Sequence, residues 1–117
     1  MNLERIVEVL QLKVKSGAER LHQEVHGGYV GDLLSDVMAN GREGDLWITR
    51  QIHQNIVAVA SLKDLAGIVL VRDTEPAEDT LEKAIREKIP LLLADLTAFE
   101  AAGRLYALLE ADRKQPL

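Results

Sequence analysis

Apolar positions along the chain recur with two periods, one helical and one of two residues, and the periods alternate. Leu3, Ile6, Val7 and Leu10 share a helical face, and Leu12-Lys13-Val14-Lys15 then alternates up to Ser16-Gly17, which predicts a helix followed by a short strand. Gly27-Gly28-Tyr29-Val30-Gly31-Asp32 is the most glycine-dense stretch; it reads as a loop feeding a helix whose apolar face is Leu33, Leu34, Val37 and Met38, ending near Asn40-Gly41. Asp45-Leu46-Trp47-Ile48-Thr49 is compact and β-prone, and Ile52, Ile56, Val59 and Ala60 follow at helical spacing. Ala66 to Val71 is a continuous apolar run, the pattern of a strand covered on both faces. Pro76 introduces a helix with Leu81, Ala84 and Ile85 inward, and Ile89-Pro90-Leu91-Leu92-Leu93-Ala94 supplies another buried strand. Thr97-Ala98-Phe99-Glu100 fits a capping box, opening a last helix expected to reach about Glu110.

Strands that alternate with helices of about ten residues imply a largely parallel sheet with helices on its faces. The prediction is a small layered α/β domain with a mostly parallel sheet of about four to five strands, spanning residues 1–110, with 111–117 a frayed polar tail. Neither an internal repeat nor a low-complexity linker interrupts it.

Composition narrows the functional classes. The chain's 117 residues, 47% of them hydrophobic, suit one domain with one core, and four aromatic residues (one Trp, two Tyr, one Phe) make that core aliphatic. The absence of cysteine excludes disulfides, thiolate metal sites and a cysteine nucleophile, and it fits a reducing compartment. An acidic residue in the opening Met1-Asn2-Leu3-Glu4-Arg5, and apolar runs far short of the roughly 20 residues that span a bilayer, argue for a cytoplasmic chain rather than a secreted or membrane one. A net charge of −5, with 14 basic residues scattered among 19 acids, disfavours nucleic acid as a partner. The few aromatics also offer no stacking platform for single strands.

The motifs that announce catalysis are missing: the chain has no GxxxxGK[ST] phosphate loop, GxGxxG turn, GxSxG elbow or HExxH pair. No catalytic residue and no cofactor are predicted. His22 and His26 are four apart, as two metal ligands on one helical turn would be, yet Gly27-Gly28 follows at once and no third ligand is near, so they read as surface histidines and no metal is expected. Gly27, Gly28 and Gly31 ahead of a helix near Asp32 admit two readings: a backbone cradle for an anion, or a tight turn closed by Asp32 as N-cap. Thr49-Arg50-Gln51-Ile52-His53-Gln54-Asn55 lies past the carboxyl end of a predicted strand, the edge at which open α/β sheets bind ligands. Arg50 would clamp an anion there, with His53 and Gln54 as polar contacts; capping and solvation are the competing explanation. Both segments join a predicted strand to a helix start. One cleft formed by Gly27–Asp32 and Thr49–Asn55 is therefore the predicted site.

With these segments in place, the chain resembles the DRTGG domain family over nearly its whole length. The likeness rests on the order and spacing of Gly27 to Met38, Gly44 to Thr49, Ala66 to Val71, and Ile89 to Leu92 followed by Thr97 to Glu100. It implies a fold similar to the amino-terminal domain of HPr kinase/phosphorylase and a regulatory role beside a catalytic partner. The departure is specific: the family's namesake Asp-Arg falls on Ile52-His53 and its Thr-Gly-Gly on Val71-Arg72-Asp73, so none of those five letters is present. Short members with Gly-Gly-Tyr-Val-Gly-Asp and His-Gln-Asn-Ile-Val-Ala-Val-Ala strings further suggest anaerobic redox or hydrogenase metabolism. The expectation is thus a non-catalytic regulatory domain sensing a small anionic metabolite or nucleotide, the alternative an accessory scaffold of a metabolic enzyme complex with no ligand. A homodimer is expected through apolar positions such as Leu34, Met38 and Trp47.

Overall fold

The computed structural model describes residues 1–114. Its elements run α1 (Leu3–Leu10), β1 (Lys13–Ser16), β2 (Gly27–Val30), α2 (Leu34–Asn40), β3 (Asp45–Thr49), α3 (Asn55–Leu62), β4 (Gly67–Leu70), α4 (Glu78–Glu87), β5 (Leu91–Leu93) and α5 (Ala98–Arg113), with a single 3-10 turn at Ala18–Arg20. The five strands form one sheet in the order β1-β5-β4-β3-β2. Strands β2 to β5 are parallel and sequential, while β1 closes the far edge antiparallel to β5. The mostly parallel α/β layering read from the sequence is the observed architecture.

Strand alternation sorts the core into two layers. Leu46, Ile48, Val69 and Leu92 meet Leu3, Ile6 and Leu10 of α1 and Ala101, Leu105 and Leu109 of α5. On the opposite face Trp47, Ile68, Leu70, Leu91 and Leu93 meet Val37 of α2, the apolar side of α3, and Ala84 of α4. Strands β3, β4 and β5 have every residue buried, and they are the strands whose sequences are apolar throughout or nearly so. Gly17 brings the chain out of β1: at φ 77° a Cβ there would lie 2.4 Å from the Pro90 backbone, so only glycine fits.

Several local expectations are corrected. Gly27–Val30 is not a loop but edge strand β2, held by its parallel ladder to β3. Helix α2 starts one residue later than expected, with Leu33 in place of Asp32 at its cap position and no side-chain cap, and Leu33 itself is exposed. Helix α3 begins at Asn55, which leaves Ile52 outside it and part-exposed. In α4 the inward stripe is Thr80 and Ala84 with Leu81 part-buried, while Ile85 is 57% exposed; the Thr80 hydroxyl donates to the Ile52 carbonyl at 2.6 Å and fixes that rotation. Trp47, expected to be available to a partner, is fully buried, its indole N–H donating to the Gly31 carbonyl at 2.8 Å. The last helix passes Glu110 and reaches Arg113, so residues 111–113 are helical where a frayed tail was expected; residues 115–117 lie outside the described ones. The capping box at Thr97 is as read: Glu100 N–H donates to Thr97 Oγ1 at 3.1 Å, and Thr97 N–H to Glu100 Oε1 at 3.0 Å. Among the described residues, no helix is long and apolar enough to cross a membrane.

Candidate functional site

Because β2, β3, β4 and β5 are parallel, their carboxyl ends emerge at one edge and their loops gather there. Asp32 organises the first two. Its Oδ1 accepts from the Thr49 hydroxyl at 2.7 Å and from the Arg50 N–H at 2.8 Å. Gln51 Nε2 donates in return to the Asp32 carbonyl at 2.9 Å. These bonds, the Arg50 N–H first and the Thr49 hydroxyl second, hold the Asp32 carboxyl below the usual aspartate range. The expected N-cap role is thereby corrected: the carboxylate serves the end of β3, not the amides of α2.

The β3–α3 loop is pinned on its other side as well. The Ile52 carbonyl accepts from the Thr80 hydroxyl and from the Ala77 N–H, tying the loop to the start of α4. Arg50, His53 and Gln54 stand exposed on this braced backbone. His53 Nδ1 accepts from the Asn55 N–H at 3.3 Å, which directs the imidazole's other nitrogen away from the chain. Next along the edge, Arg72 and Asp73 adopt left-handed φ of 56° and 48°, held by N–H bonds to the Leu96 and Ala94 carbonyls, both 2.8 Å. These are the positions at which the DRTGG resemblance places Gly-Gly. The backbone keeps a conformation that suits glycine although the residues are not glycine.

The predicted site residues fall into two groups. Gly31, Asp32, Arg50, His53 and Gln54 gather at the carboxyl edge, where Thr49, Gln51 and Thr80 act as supports; only Thr49 and Gln51 lay in the segment the sequence had marked. Gly27 and Gly28 are at the opposite end of β2, so they do not share that cleft. They line instead an open cavity of about 490 Å³ between β2 and α5, with Val30, Ile48, Phe99, Leu105 and Tyr106. Arg113 closes its far end, donating to the His26 carbonyl at 2.8 Å. His22 sits in a turn and His26 just before β2, so the two histidines share no helical face. Among the described residues no three His, Asp or Glu side chains gather as a metal site would require.

This arrangement defines a three-layer α/β domain with one loop-rich edge. No protein-family model matches the chain, and no curated protein sequence matches it. Among solved structures it is similar to the CBS and DRTGG domains of the regulatory region of a Clostridium perfringens pyrophosphatase, complexed with the activator diadenosine tetraphosphate. The TM-score is 0.68 at 17% identity, over 89% of this chain and 45% of that one. The chain thus spans less than half of that regulatory region, and at this identity what is shared is the fold.

Proposed function

We propose that this chain is a non-catalytic regulatory module of the cytoplasm that binds a small anionic ligand, a nucleotide or a phosphorylated metabolite, and works as a homodimer on a metabolic enzyme. The binding site in this reading is the carboxyl edge, with Arg50 meeting the anion, His53 and Gln54 offering polar contacts, and Gly31 giving close backbone approach. The observation that carries it is the Asp32 clasp. A residue whose carboxylate neutralises nothing buried yet fixes Thr49 and Arg50, and whose carbonyl holds Gln51, is a means of holding exposed loops in register, and preorganised loops bind at lower entropic cost. The nucleotide activator bound by the structurally similar regulatory region supports the same ligand class. Gly27 and Gly28 drop out of this site because β2 carries them to its far end.

The test is a thermal-shift and calorimetric screen of the intact chain against diadenosine tetraphosphate, AMP, ATP and acetyl phosphate. A ligand at a hundred times its Kd stabilises by about 2.7 kcal/mol, a readily visible shift. Arg50→Ala and His53→Ala should each weaken that ligand while leaving the unliganded melting temperature nearly unchanged, since both side chains are exposed. Binding that survives both substitutions would move the site elsewhere. A null screen would favour a purely structural scaffold.

A further inference from the structure

The best-defined uncovered apolar surface lies away from the carboxyl edge, where β2 ends the sheet. Val30 is 50% exposed, and on the same side α5 presents Phe99, 89% exposed, and Tyr106, 68% exposed. Between these rings sits Gly103, with no neighbouring atom within 4 Å of where its Cβ would be. All four line the 490 Å³ cavity. Beside it runs a row of backbone groups. The Gly31 N–H donates inward to the Ile48 carbonyl at 3.1 Å, so by strand alternation Gly28 and Val30 direct their N–H and C=O groups to the free edge.

We infer that this edge and this helix face form one self-complementary surface, which pairs with a second copy of the chain about a two-fold axis normal to the sheet. The inference rests on the homodimer reading above and assigns its interface. Antiparallel pairing of β2 with its copy, centred on Tyr29, sets Gly28 opposite the copy's Val30 and satisfies all four outward groups on each strand. The same axis fixes the helices. Leu105 lies over Gly28, and α5 runs antiparallel to β2, since Arg113 at its end reaches the His26 carbonyl at the strand's start. One residue along the strand, about 3.3 Å, equals roughly two residues of helix, which brings the axis from Leu105 to Gly103. The residue with no side chain therefore falls at the crossing point.

The spacing closes as well. Helix α5 packs over β2 and β3, so its axis lies at most about 2.4 Å inside β2, and the two-fold lies about 2.4 Å outside it. Doubling that offset separates the two copies of α5 by about 9.6 Å or less, which matches the usual 8–10 Å of packed helices. Phe99 and Tyr106 are one turn to either side of Gly103, so each ring of one copy meets the other ring of its partner and fills the cavity. A second copy is therefore the occupant this groove fits.

Sedimentation or light scattering of the intact chain from 1 to 200 µM tests it. The wild type should show twice the 13.0 kDa mass at the upper concentrations. Gly103→Glu should weaken dimerisation by roughly thirtyfold or more, the scale of a central interface residue. Its melting temperature at low concentration should hold or rise, because the site is open and glycine is a poor helix former. Val30→Pro, which removes an outward N–H without touching the ladder to β3, should also give monomer. Leu62→Glu, exposed on α3 across the sheet, should stay dimeric. A monomer at every concentration overturns both the interface and the homodimer reading. A dimer indifferent to Gly103→Glu and Val30→Pro overturns the interface alone, and the ligand screen is unaffected by either result.

Discussion

Strands β4 and β2 have four residues each and lie in the same sheet, yet they are held by different means. In β4, Gly67–Leu70 is buried throughout, flanked by β3 and β5 and packed between α1 and α5 on one side and α3 and α4 on the other. In β2, Gly27–Val30 alternates between half-buried and exposed, begins with two glycines and has one neighbour. The central strand is fixed by side-chain burial, which is strong and tolerates no change of shape. The edge strand is fixed by its backbone ladder and by contacts at its ends: Trp47 to the Gly31 carbonyl, and Asp32 to Thr49 and Arg50. The core thus supplies a rigid base, while the edge and its following loop keep exposed surface.

Substitutions that exaggerate the contrast make it measurable. The largest effect belongs to the central strand: Ile68→Ala, at a fully buried position, should cost about 2–5 kcal/mol in denaturant unfolding, because the cavity cannot collapse between two packed layers. In β2 the matching truncation, Val30→Ala, should cost under about 0.5 kcal/mol when measured at monomeric concentrations. Equal costs at the two positions would erase the distinction drawn here.

Loss of the Asp32 clasp should be intermediate. Asp32→Asn keeps the shape but replaces charge-assisted bonds, and for a carboxylate this exposed the loss should be about 1 kcal/mol or less after solvent screening. The sign with pH follows from its lowered value. The folded state binds a proton less readily than the unfolded chain, so the contribution is complete well above the ordinary aspartate value near 4 and fades as pH falls through that value toward the folded one. The stability gap between the wild type and Asp32→Asn should therefore narrow as pH falls below the ordinary aspartate range. A gap between them that persists in acid would mean the clasp acts through shape and not charge.

Smaller still are the changes at the strained loop. Arg72→Gly and Asp73→Gly each relieve a left-handed backbone, while they free the unfolded chain, and these terms nearly offset. Each should shift stability by under about 1 kcal/mol, toward stabilisation, in thermal unfolding. A loss of more than that would show the two side chains to be engaged in contacts beyond the backbone bonds to Leu96 and Ala94.

What the sequence determined by itself is local in origin. Apolar runs announced β4 and β5 as buried strands, a compact β-prone segment announced β3, helical spacing announced α1, and the Thr97–Glu100 box marked the start of α5 to the residue, because each signal is carried by neighbours in the chain. Excess acid and missing catalytic motifs likewise needed no fold to be read. Tertiary structure alone decided that Gly27–Val30 is a strand: two glycines carry no β signal, and only the ladder to β3, formed across a separate helix, extends them. It decided the inward face of α4, where a bond from Thr80 to a distant carbonyl outweighs the apolar pull of Ile85. It moved Asp32 from a helix cap to a clasp, and it divided the predicted cleft by carrying Gly27 and Gly28 a strand's length from Arg50 and His53. Such outcomes depend on contacts between residues far apart in sequence, and no local period encodes them.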